Sequence, residues 1–126
     1  MDQPLVLCID DEPLSIKTLE TFLRNHFRVS MASSATEALE LIEQERPDLI
    51  ISDVLMPDMN GFEMVSRLRK TPDTKNIPLI FISALAHLSN IGTNERSGIT
   101  QFFTKPVDHE HLLESIQKLL KRGSKS

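Results

Sequence analysis

The sequence predicts a doubly wound α/β fold, in which a five-stranded parallel sheet carries helices on both faces. Apolar runs such as residues 5–9 and 49–51 are typical of strands that helices cover on both sides. Five strand-like runs alternate with segments of helical periodicity, and that order implies parallel strands joined by right-handed crossovers. A chain of 126 residues is expected to form one domain with a sizeable core.

Most of the predicted strands are followed by a polar side chain. They comprise residues 5–9, 27–32, 49–52, 77–82 and 100–104. The second strand alternates apolar and polar residues, so we expect it near a sheet edge. Pro57 cannot continue a central strand, so the third strand ends before it and leaves Asp53 at its carboxyl end. Periodicity does not determine the order of the strands.

The first two helices have recognisable starts and stops. The first begins near Pro13, which suits an initial helical position, and extends to about Asn25. Its predicted inward face consists of Leu14, Thr18, Leu19, Phe22 and Leu23. Residues 34–37 form a capping box for the second helix, and Pro47 follows its end.

The later helices are less uniform. Asn60 with Glu63 could cap a third helix, and Asp108 could cap the last one, which has a clear apolar stripe. Residues 86–98 contain few large apolar side chains and a polar, glycine-containing centre that disfavours helix. We therefore expect a short or mobile fourth helix there.

Composition excludes several classes of function. A formal net charge of −4 gives no electrostatic footprint for direct binding of nucleic acid. No apolar run reaches the length of a membrane span, and the acidic N-terminus does not resemble a signal peptide. The single cysteine, Cys8, lies in an apolar run, so we expect a cytoplasmic protein without an internal disulfide.

Polar residues at the predicted strand ends indicate a site. Asp10 and Asp11 follow the first strand, Asp53 the third, Ser83 the fourth and Lys105 the fifth. Parallel strands place these residues at one edge of the sheet, where such folds bind ligands. Three neighbouring carboxylates require a cation, and their hard oxygen ligands suit Mg²⁺. A carboxylate nucleophile beside a lysine matches phosphoryl transfer.

Each of these features also has a structural interpretation. Residues 10–13 could simply cap the first helix, and a Lys-Pro pair often forms only a turn. Their coincidence at matching strand ends favours the functional interpretation.

Four motifs resemble the receiver domain of two-component response regulators. They are Asp10-Asp11-Glu12-Pro13, residues 53–63, Ile82-Ser83-Ala84 and Phe103-Thr104-Lys105-Pro106. The resemblance implies a flavodoxin-like strand order of 2-1-3-4-5. It also implies a receiver domain at residues 1–121, followed by a polar tail or the start of a linker at 122–126.

The resemblance implies a role for each acidic residue and for the lysine. Asp53 would accept a phosphoryl group from a sensor histidine kinase or a histidine phosphotransfer protein. Asp11 and Asp53 would bind Mg²⁺ together with the backbone carbonyl of Leu55, while Asp10 would act mainly through water. Lys105 would pair with Asp53 and then with the phosphoryl oxygens.

Further residues would bind the phosphoryl group or transmit its presence. Ser83 would donate a hydrogen bond to it, and backbone N–H groups of Leu55 and Ala84 would add donors. The peptide bond before Pro106 resembles one that is cis in the family. Phe102 occupies the position of the switching aromatic residue but lacks a hydroxyl group, so packing alone must bias the switch.

The resemblance also implies which surface of the chain would contact partners. The face formed by helix 4, strand 5 and helix 5 would contact an output domain or protein target, and a homodimer is left open. Leu55 and Leu85 flank the phosphoryl site, and we predict that their bulk hinders the attacking water and lengthens the phosphorylated state.

Other functions compete with a phosphorylated switch. An interaction module could keep the fold without using the phosphate, although all five chemical residues are present. An aspartate-nucleophile hydrolase of the dehalogenase kind would place an Asp-x-Asp motif after the first strand and carry a cap over its substrate. Here the lone acceptor, Asp53, follows the third strand, and no insertion is long enough to form a cap. The switch would catalyse only its own modification, so we do not predict an enzyme in the usual sense.

Overall fold

The computed structural model describes residues 3–56, 58–84 and 98–123. Its strands are β1 (Leu5–Ile9), β2 (Arg28–Ala32), β3 (Leu49–Ser52), β4 (Leu79–Ser83) and β5 (Gln101–Thr104). They form one parallel sheet in the order β2-β1-β3-β4-β5. Both the parallel sheet and the strand order implied by the resemblance are confirmed, and β2 lies at an edge as predicted.

Four helices lie within the described residues. They are α1 (Pro13–Leu23), α2 (Ala35–Gln44), α3 (Gly61–Lys70) and α4 (His109–Gly123). The helix labelled α4 is the last of the predicted helices. The short or mobile fourth helix predicted over residues 86–98 lies outside the described part of the chain, apart from Gly98.

Two apolar clusters cover the two faces of the sheet. On one face, residues of α2 and α3, such as Ile42 and Met64, pack against Ile50 and Phe81. On the other face, residues of α1 and α4 pack against Cys8 and Ile51. This arrangement explains why the central strands are apolar without alternation, because both of their faces are buried.

The predicted caps are present. The Ser34 hydroxyl accepts a hydrogen bond from the Glu37 N–H (3.1 Å), and the Asn60 side chain accepts one from the Glu63 N–H (2.9 Å). The Asp108 carboxylate accepts from the Glu110 N–H at the start of α4 (2.9 Å). Side-chain oxygens thus satisfy N–H groups that lack intrahelical acceptors.

The predicted inward face of α1 is wrong at Leu14 and Thr18. Leu14 is 78% exposed and Thr18 is also exposed, whereas Leu23 is fully buried. Leu14 and Leu23 are nine positions apart, and at about 100° per residue they point to opposite sides of the helix. The inward stripe instead contains Glu20, which is only 2% exposed and forms ion pairs with Lys17 and Arg24.

Cys8 lies in the middle of β1 and is 1% exposed. Burial raises the pKa of its thiol to about 12. The thiol therefore remains protonated and unreactive in the folded chain, in agreement with the predicted core position.

None of the helices in the described ranges is long and apolar enough to cross a bilayer.

Candidate functional site

Adjacent strands bring the predicted acidic residues together. Ile9 and Ser52 are register partners, so Asp10 and Asp53 follow neighbouring strands at the same edge. The Asp53 N–H donates to the Ile9 carbonyl (2.9 Å) and continues the strand pairing by one residue. One carboxylate oxygen from each of Asp10, Asp11 and Asp53 lies within 4.8 Å of the other two.

Lys105 reaches this cluster from β5, across the intervening strand β4. Its Nζ lies 3.0 Å from Asp10 Oδ2 and 3.2 Å from Asp53 Oδ2. Its backbone N–H donates to the Ser83 carbonyl (2.8 Å), and the bond to Pro106 is cis, as the resemblance implied. The lysine therefore bridges two carboxylates, and the pairing with Asp10 is one that the sequence did not indicate.

The remaining oxygens of the two paired carboxylates are held by backbone groups. Asp10 Oδ1 accepts from the Glu12 N–H (2.9 Å), and Asp53 Oδ1 accepts from the Val54 N–H (2.7 Å). Asp11 is exposed and forms no hydrogen bond with another residue that the structure describes. Asp11 is therefore the acidic residue of the cluster that is most open to an added ligand.

The lysine remains a cation in this environment. Partial burial lowers the pKa of Lys105, but the hydrogen bond and charge of Asp10, together with those of Asp53, outweigh it and raise the pKa overall. Three carboxylates and one ammonium group leave a formal local charge of −2. A divalent cation complements that charge, and oxygen ligands are those that Mg²⁺ prefers, so the side chains present fit this metal.

The other predicted residues that the structure describes lie at or just after the carboxyl ends of β3 and β4. Ser83 ends β4 and is buried, while Ala84 follows it and is exposed. Leu55 lies two residues after Asp53 and is 55% exposed. Leu85, predicted to flank the same site, lies outside the described residues.

Phe102 lies within β5, the strand that Lys105 follows. It is partly buried against the α2–α3 side of the sheet, and its ring contacts Phe81 edge-on with centroids 6.4 Å apart. Phe81 also contacts Phe62 of α3 (5.2 Å). The aromatic residue at the predicted switch position is thus connected to α3 through the core.

Sequence reasoning missed Asp58. Its carboxylate binds N–H groups at the start of α2, including that of Thr36 (2.8 Å). These hydrogen bonds hold the pKa of Asp58 at about 2, the Thr36 hydroxyl being the strongest contributor. No local pattern connects residues so far apart in the chain, although the Pro-Asp pair at 57–58 does indicate a turn.

Fold and site together define a class, namely doubly wound α/β proteins that hold their functional groups outside the carboxyl ends of the strands. Residues 6–117 match the response regulator receiver domain family. The chain belongs to this family, as its sequence motifs indicated.

Known relatives agree with this assignment. Protein PilH of Pseudomonas aeruginosa is 33% identical over 91% of this chain and 96% of its own length. The chemotaxis response regulator CheY4 of Vibrio cholerae has a TM-score of 0.84 and 30% identity, covering 93% of this chain and 98% of that one. The response regulator TrrA of Thermotoga maritima, solved in complex with Mg²⁺-BeF, has a TM-score of 0.80 and 26% identity, with 94% and 99% covered.

Membership of the family establishes the general function. Receiver domains are signalling switches rather than classical enzymes, and they interact with histidine kinases and output domains. They bind Mg²⁺ at an acidic pocket, and this chain has an acidic cluster at the corresponding edge of its sheet.

Proposed function

We propose that the chain is a phosphoacceptor switch in which Asp53 takes a phosphoryl group from a phosphohistidine on a sensor histidine kinase or a histidine phosphotransfer protein. The observation that carries this proposal is the contact of Lys105 with both Asp53 and Asp10, beside an exposed Asp11. The proposed nucleophile, a positive charge and the carboxylates proposed as metal ligands thus belong to one cluster.

The transfer step balances without a further reactant. An Oδ atom of Asp53 attacks phosphorus, the P–N bond to the donor histidine breaks, and the imidazole nitrogen keeps the electron pair and takes a proton from solvent. The product is an aspartyl phosphate on Asp53. Catalysis of this kind consists mainly of positioning and charge neutralisation.

The side chains around Asp53 have separate tasks. Asp11, Asp53 and the Leu55 carbonyl would hold Mg²⁺ directly, with Asp10 acting through water. Bound Mg²⁺ would neutralise charge on the carboxylates and the phosphoryl oxygens. Lys105 would exchange its contact with Asp53 for one with a phosphoryl oxygen.

The response to phosphorylation would begin at Ser83 and Ala84. The Ser83 hydroxyl and the Ala84 N–H would donate hydrogen bonds to the phosphoryl group. Phe102, packed against Phe81, would then repack and alter the face that includes β5 and α4. An output domain, a protein target or a second copy of the chain would bind this face according to its state.

Phosphorylation by a small donor tests the proposal. Wild-type chain incubated with acetyl phosphate and Mg²⁺ should gain the mass of one phosphoryl group, and Asp53→Asn should gain none. Beryllofluoride with Mg²⁺ should shift the backbone resonances of Ala84 and Lys105 in the wild type alone. A wild-type chain that neither gains mass nor binds beryllofluoride would instead be an interaction module that does not use phosphate.

A further inference from the structure

The loop between β3 and α3 is tied to a different helix through Asp58. Asp58 Oδ1 accepts from the Ala35 N–H (3.2 Å), and Oδ2 accepts from the Thr36 N–H (2.8 Å) and from the Thr36 hydroxyl. Both N–H groups belong to the first turn of α2, where intrahelical acceptors are lacking. A side chain of the β3–α3 loop therefore caps a helix that begins 23 residues earlier.

The beginning of the same loop is fixed independently. The Val54 carbonyl accepts a hydrogen bond from the Gly61 N–H (2.6 Å). The preceding residue, Asp53, is held by the hydrogen bond from its N–H to the Ile9 carbonyl. Leu55 therefore lies between two anchored positions, Val54 and Asp58. Asp58 is not part of the carboxylate cluster found in the described residues, so any effect of Asp58 on that cluster has to pass through the backbone of the loop.

Building on the proposed function, we propose that Asp58 is a positioning residue for the Mg²⁺ site. Its hydrogen bonds to α2 restrain the loop so that the backbone carbonyl of Leu55 is held where it can serve as a ligand. Groups that orient metal ligands in this way contribute strongly to metal affinity. Helix α2 and the metal site are consequently coupled through one carboxylate.

The N-terminus of α2 offers a matched control. The Ser34 hydroxyl caps the Glu37 N–H (3.1 Å), and the Glu37 carboxylate in turn accepts from the Ser33 N–H (2.7 Å). These contacts stabilise α2 without involving the β3–α3 loop. Ser34→Ala should therefore weaken the helix and leave the metal site unchanged, whereas Asp58→Ala should affect both.

Titration of Mg²⁺ by calorimetry, with no phosphodonor present, measures the effect. We expect Asp58→Ala to raise the dissociation constant about tenfold and Ser34→Ala to leave it unchanged. Asp58→Asn keeps one acceptor oxygen without the charge, so its loss should be smaller than that of Asp58→Ala. Mg²⁺ should also slow hydrogen exchange at the Ala35 and Thr36 amides of the wild type, a readout that needs no variant.

Several results would overturn the inference. An unchanged dissociation constant in Asp58→Ala would do so, and so would an equal loss in Ser34→Ala. Equal losses in Asp58→Asn and Asp58→Ala would assign the effect to charge rather than to position. If the wild-type chain binds no Mg²⁺, the proposed function itself lacks its metal site. That result differs from the others, which concern only the role of Asp58.

Discussion

Asp10 and Lys105 are joined by a contact of 3.0 Å, slightly shorter than the 3.2 Å contact between Lys105 and Asp53. The lysine is thus shared between the proposed phosphoacceptor and a second carboxylate from β1. Its charge serves both to hold the carboxylates together and, in the proposed reaction, to stabilise the transferred group.

Replacing the lysine should separate these two effects. We expect Lys105→Ala to slow phosphorylation by acetyl phosphate about 100-fold, because a fixed charge beside the reacting oxygens is lost. Its affinity for Mg²⁺ should rise, since the carboxylates lose a competing cation. Lys118→Ala, at an exposed position of α4, is the control and should change neither quantity. A Lys105→Ala variant that is phosphorylated at the wild-type rate would contradict the assigned role.

The Asp58 cap should make stability depend on pH in the acid range. Its pKa is about 2 in the folded chain against an ordinary value of 3.8, so its contribution is complete above pH 3.8 and is lost as the pH falls through 2. Urea unfolding of wild type and Asp58→Asn should therefore give a difference in unfolding free energy that is constant at neutral pH and shrinks below pH 3.8.

Thr36→Val is the informative comparison for this pH dependence. It removes the hydroxyl that contributes most to the lowered pKa of Asp58. When both chains also carry Thr36→Val, the effect of Asp58→Asn on the unfolding free energy should therefore depend less on pH. An undiminished dependence would show that another carboxylate is responsible.

Gly61 should not tolerate a side chain. A Cβ atom there would lie 2.7 Å from Phe81 Cε1 and 3.0 Å from the Asp53 carbonyl oxygen, both too close for unstrained contact. Gly61→Ala is expected to lower the free energy of unfolding by about 1–3 kcal/mol through this overpacking. Ser66→Ala, at an exposed position of the same helix, should have a much smaller effect in the same urea titration.

Leu55 should govern the lifetime of the phosphorylated state. It is 55% exposed and only two residues from Asp53, so its bulk can hinder an attacking water. We expect Leu55→Asn to lose radiolabelled phosphoryl group several times faster, because the smaller polar side chain admits and orients water. A lifetime equal to that of the wild type would count against this role.

Much of the architecture was predictable because it follows from local patterns. The buried strands have no alternation, and the capping residues Ser34 and Asn60 precede their helices directly. The carboxylate cluster was predictable for the same reason, since residues that follow parallel strands must meet at one edge.

Other features depend on contacts that no local pattern contains. Leu14 and Leu23 are both apolar but lie on opposite sides of α1, so only the position of the sheet decides which of them is buried. The hydrogen bonds of Asp58 to α2, and the choice of Asp10 as a second partner of Lys105, arise from side chains that meet only after the sheet has formed. Long-range polar pairing of this kind is not encoded in spacing.

The central position of Cys8 has a practical consequence. The chain contains no tryptophan and no tyrosine, so it offers little intrinsic fluorescence. The thiol of Cys8 is buried within β1, so an alkylating reagent can modify it only in molecules whose sheet has opened. The rate of Cys8 alkylation therefore measures how often the folded chain opens. A ligand that binds only the folded form should lower this rate in proportion to the fraction of the chain that it occupies.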